Sequence, residues 1–142
     1  MTLVVYELEA AGLTQEVTPS KNTIVEAVRP HIMIHDCDTG SLSIEIYDSG
    51  DSLIATSNSV DISSISSAAY YHGYVRFNIN AYLAKNETYS LKLVGAGGYS
   101  FSPASYAGWV NGYDLAKYPL AYTPGSSLSF PFDYEIWARS PK

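Results

Sequence analysis

From Leu42 to Leu93 apolar side chains return at every second residue in three separate blocks. Leu42, Ile44 and Ile46 form one set, Val75, Phe77 and Ile79 a second, and Tyr89, Leu91 and Leu93 a third. Successive side chains of an extended chain point to opposite faces, so each set makes one face of a strand apolar and leaves the other wet. Residues that accept turn angles separate the blocks: Asp38-Thr39-Gly40, Asp48-Ser49-Gly50-Asp51, Lys85-Asn86 and Gly95-Ala96-Gly97-Gly98. No segment sustains a 3.6-residue period, so no amphipathic helix competes for the core. The pattern predicts an all-β chain, an antiparallel β-sandwich with a jelly roll as the expected form, in a single domain over residues 1–142.

Strands are expected over Thr2 to Glu9, Leu13 to Val17 and Thr23 to Val28, the last stopped by Pro30, after which His31 to His35 resumes. Ser41 to Tyr47 and Leu53 to Ser57 make a hairpin about the Asp48 turn. Ser57 to Ala69 reads as a strand end and a loop pegged by Val60, Ile62 and Ile65. Val75 to Ile79 is a strand, Ala81 to Ala84 one helical turn, and Glu87 to Leu93 a strand. Ser129 to Arg139 closes the fold, with Phe130, Phe132, Tyr134 and Ile136 on one face and Asp133, Glu135 and Trp137 on the other.

A chain of 142 residues with 46% hydrophobic content can bury a real core. Charged residues make up only 15%. The polar surface therefore leans on Ser, Thr, Asn and Tyr, which suits packing against a protein or a sugar as well as an ordinary β-protein. The net charge is -6, and the eight Lys and Arg stand singly, which argues against nucleic acid, since phosphate-tracking needs clustered cations. No apolar run is long enough to span a bilayer as a helix, so no membrane partner is expected. Met1 to Ala10 reads as a strand rather than a secretory signal. Cys37 is alone, which leaves no internal disulfide and no thiolate cage.

The hairpin Ile44-Glu45-Ile46-Tyr47-Asp48-Ser49-Gly50-Asp51-Ser52-Leu53-Ile54-Ala55-Thr56-Ser57 resembles the hairpin of jelly-roll accessory modules. Phe77, Leu83, Asn86, Thr88, Tyr89, Leu91 and Leu93 look like a second phrase of the same family. The family's usual Gly before the Thr-Tyr pair is replaced by Asn86-Glu87, and Asn also accepts a left-handed turn. Such modules occur in bacterial surface proteins and among bacteriophage tail and capsid accessory proteins. The resemblance covers about fifty residues and implies a fold more than a site.

The segment Tyr99 to Tyr122 is the richest candidate site. A long loop carrying Tyr99, Phe101, Tyr106, Trp109, Tyr113, Tyr118 and Tyr122 can stack on sugar rings, with Asn111 and Asp114 as hydrogen-bonding neighbours. It can equally anchor a neighbouring subunit, or fold back and cap the sandwich with its own rings. Trp109 and Tyr113 are the expected contacts. Tyr70-Tyr71-His72-Gly73-Tyr74 reads as a second aromatic knot at a loop tip, where shielding of a sandwich end competes with binding.

His35-Asp36-Cys37-Asp38 has too few converging soft ligands for zinc, and the acidic spacing of a calcium loop fails, so no metal and no cofactor is expected. Asp133 and Glu135 share a strand face, as a glycosidase pair would, but no partner carboxylate is suggested elsewhere. No nucleophile elbow or phosphate loop is present, and no enzyme is expected. The expectation is a structural or decoration protein of a bacteriophage particle, in head or tail, made in the host cytoplasm and resident in the virion. It would bind other virion proteins as a homo-oligomer, through edge strands and the aromatic loop. The alternative is a carbohydrate-binding module that stacks a glycan on that loop.

Overall fold

The computed structural model describes residues 5–65, 70–110, 122–123 and 134–141. Two antiparallel sheets pack face to face, and a single hydrophobic cluster fills the space between them. The sandwich predicted from the alternating blocks is what the chain forms.

The first sheet is organised by β3 (Thr23–His35). On one edge of β3 lie β7 (Tyr70–Tyr74) and β8 (Phe77–Leu83) in one register, since His31 faces Tyr74 and Val28 faces Phe77. On the other edge lie β10 (Tyr106–Val110) and β12 (Tyr134–Arg139), and β1 (Val5–Glu7) adds to β10. The second sheet runs β11 (Tyr122–Thr123), β2 (Leu13–Val17), β9 (Tyr89–Ala96), β4 (Ser41–Tyr47), β5 (Leu53–Thr56), and β6 (Val60–Asp61) also pairs with β4. A short helix, α1 (Ile62–Ile65), plugs one end with Ile62, which is fully buried.

Pro30 does not stop β3. Its carbonyl accepts from Val75 N at 3.1 Å, so this residue bonds towards the β7–β8 edge. In an antiparallel ladder both backbone groups of a residue face the same neighbour, so the missing N–H falls at Val75–Arg76. That is where β7 ends and β8 begins. One proline thus costs a single rung rather than a strand.

Three further expectations are corrected. Ala81 to Leu83 continues β8 instead of forming a helical turn; the β3–β8 register shifts beside Glu26, which keeps Ala81 and Leu83 inward. Tyr70 to Tyr74 is not a loop tip but a full strand. The aromatic segment after Tyr99 is not one long loop, because Tyr106 to Val110 pairs on both sides, with β3 and with β1. Tyr99 itself ties this region down. Its hydroxyl donates to Leu8 O at 2.7 Å and accepts from Ala107 N at 3.1 Å. Gly95 makes room for the ring, since a Cβ there would stand 2.5 Å from Tyr99 Cδ2.

Candidate functional site

The core face of β3 carries Val28, Ile32 and Ile34, all fully buried. Its opposite, outer face carries Arg29, His31, Met33 and His35, and the register sets their neighbours. His35 faces Tyr70 and Tyr106, Met33 faces His72, His31 faces Tyr74, and Arg29 faces Glu135. All three histidines of the chain therefore stand on one side of the sandwich.

Ring contacts run along this face. Phe101 packs on Tyr106 with centroids 6.0 Å apart, Tyr106 on His35 at 5.0 Å, and His35 on Tyr70 at 4.7 Å. His31 lies 5.1 Å from Tyr74 and shares a 3.0 Å hydrogen bond, Nε2 to Nδ1, with His72. At the other end Arg29 sits 5.8 Å from the Tyr74 ring and 5.6 Å from Trp137, and it pairs with Glu135 at 2.7 Å. Arg76 lies 4.9 Å from the centre of the Trp137 ring. Arg139 pairs with Glu26 at 3.3 Å.

Arg76, in the break between β7 and β8, and Trp137, on β12, lie on opposite sides of β3, so their backbones stand at least two strand spacings, about 9.6 Å, apart. The small Ala27 faces both Asn78 and Trp137 in the register. A methyl group there leaves a low saddle across which the indole reaches the far strand. Beside it opens a depression of about 360 Å³ lined by Glu26, Arg76, Ile136, Trp137 and Ala138.

The sequence-predicted residues are distributed differently. Trp109, expected as a contact, is 0% exposed and packs edge-on to Tyr134 in the core. The correction follows from β10: Trp109 faces Ile32, whose side chain points inward. Tyr106 is half-buried on the outer face and Tyr70 is exposed there, whereas Tyr71 packs against the core. Tyr113, Tyr118, Asn111 and Asp114 lie outside the described residues, as does Asp133. Sequence reasoning placed Trp137 and Glu135 on one face but did not connect them to Arg29 and Arg76.

A second surface feature lies at the edge of the other sheet. β5 reads Leu-Ile-Ala-Thr, with Leu53 51% and Ile54 41% exposed, and among the described residues no strand pairs with its outer edge. Among the described residues no three His, Cys, Asp or Glu side chains converge as a metal site, and no helix is long and apolar enough to cross a membrane. No protein-family model matches this chain, and neither does any curated protein or solved structure compared with it.

Proposed function

We propose that this chain is a structural, non-enzymatic subunit of a larger particle, a decoration or accessory protein of a bacteriophage head or tail, which docks on other copies and other virion proteins. The observation that supports it is the outer edge of β5, with which no strand pairs among the described residues. Natural sheets blunt their edges with charge, proline or a covering segment, because unpaired N–H and C=O groups recruit foreign strands. β5 carries no charge and no proline, and it presents two aliphatic side chains beside those groups. Such an edge is suited to pairing with another strand. The particle itself is suggested by the resemblance of the β4–β5 hairpin.

Sedimentation velocity tests the edge. The wild type is expected to self-associate as concentration rises, and Leu53→Lys with Ile54→Lys is expected to sediment as monomer with an unchanged thermal midpoint. A wild type that stays monomeric throughout, and that is missing from particles purified from its source, would refute the reading. The carbohydrate alternative cannot use Trp109, which the core holds.

A further inference from the structure

We propose that the depression beside Trp137 binds a carboxylate-bearing sugar unit, with Arg76 as the receptor for its carboxylate. This site stands apart from the particle reading, since a surface subunit can hold a ligand on one face and its neighbours at another.

The charge balance comes first. Two of the three arginines of a chain with net charge -6, Arg29 and Arg76, lie over one indole, and the third, Arg139, stands two residues along the same strand. Arg29 is matched by Glu135 and Arg139 by Glu26. Among the described residues these three guanidiniums meet two carboxylates, and the unmatched one is Arg76. An unmatched cation held on an acidic protein is a receptor for an anion.

Arg76 is also pre-organised. Its guanidinium carbon rests 4.9 Å from the centre of the Trp137 ring, and its Nε donates to Asn78 Oδ1 at 2.8 Å. Both constraints leave the terminal Nη pair, the fork that meets a carboxylate with two parallel hydrogen bonds. Little rotamer freedom remains to be lost on binding.

The rest of the lining selects a sugar. Trp137 is 49% exposed and offers a flat apolar surface next to Ile136 and Ala138. Glu26 gives one oxygen to Arg139, and its second oxygen remains an acceptor for ring hydroxyls. Glu26 repels any carboxylate ligand, but a sugar acid can offset this by donating its ring hydroxyls to Glu26 while its carboxylate sits on Arg76, which the carboxylate side chains of an acidic peptide cannot do. A volume of about 360 Å³ is at the small end of ligand sites and suits a short glycan segment.

Titration calorimetry with trigalacturonate, its methyl ester and triglutamate tests the assignment, with Trp137 fluorescence as a second readout. Trigalacturonate is expected to bind about tenfold or more tightly than the ester. Arg76→Gln should erase that difference at an unchanged thermal midpoint, because the residue is exposed. Arg76→Lys should recover only part of it, since a single ammonium lacks the fork. Equal binding of acid and ester, indifference to Arg76→Gln, or no binding of either sugar at about 10 mM would overturn the assignment. Triglutamate binding as tightly as trigalacturonate would overturn it in favour of an acidic peptide.

Discussion

A single hydroxyl shows how local chemistry holds the end of this sandwich. Tyr99 bridges Leu8 and Ala107, satisfying a carbonyl just after β1 and an amide of β10. Replacement by Phe keeps the ring in its glycine-lined slot but removes both partners, which should cost about 1–3 kcal/mol in denaturant unfolding. The same residue makes a prediction about pH. Burial raises the Tyr99 pKa above the ordinary 10.0, and the hydrogen bond from the Ala107 backbone only partly offsets this. The folded chain therefore keeps a proton that the unfolded chain has released. The stabilisation is full below pH 10 and is lost as pH climbs through the raised value. Unfolding curves of wild type and Tyr99→Phe should converge as the solution becomes strongly alkaline. A constant gap at every pH would assign the loss to packing instead.

At the scale of elements, turns and registers decide what alternation alone leaves open. The reversal between β8 and β9 rests on Asn86, which adopts φ 65°, and Glu87 N bonds back to Ala84 O at 3.2 Å. A β-branched residue meets its own carbonyl in that region, so Asn86→Val should lower stability by about 1–2 kcal/mol, while Asn86→Gly should be neutral or better in thermal unfolding. The left-handed turn was legible because Asn is one of few residues that accept it. β4, β8 and β9 were legible for a related reason: each has one core face and one wet face, so its sequence alternates. β10 was not. Ala107, Gly108, Trp109 and Val110 are all buried, which removes the polar half of the pattern and leaves a short aromatic run that resembles a loop. β7 was hidden by its own tyrosines, since Tyr70 and Tyr74 look outward and Tyr71 inward, and all three read alike in sequence. Pro30 misled by its local rule, because its lost rung falls in a break that the partner edge already contains.

For the whole molecule, the candidate site was invisible because pairing creates it. Arg29, Arg76 and Trp137 lie far apart in sequence and meet only through the two ladders on β3. The same ladders separate the two tryptophans, with Trp109 inside, against expectation, and Trp137 on the outer face with Glu135, and this makes them reporters of the architecture. Trp109 sits between the sheets against Tyr134, with centroids 6.3 Å apart at 74°, while Trp137 lies outside over Ala27. Acrylamide should quench only part of the native emission. Trp137→Phe should leave a protected signal and a nearly unchanged stability. Trp109→Ala removes a fully buried indole that holds β10 to β12 and should cost about 3–5 kcal/mol, through lost transfer energy and the cavity left behind. Trp109→Phe, which keeps an aromatic ring in the core, should leave a freely quenched signal in a folded chain. Protection that disappears with Trp137→Phe, or two indoles quenched alike in the wild type, would mean that β10 does not pack between the sheets, and the binding face built on its partner β3 would fall with it.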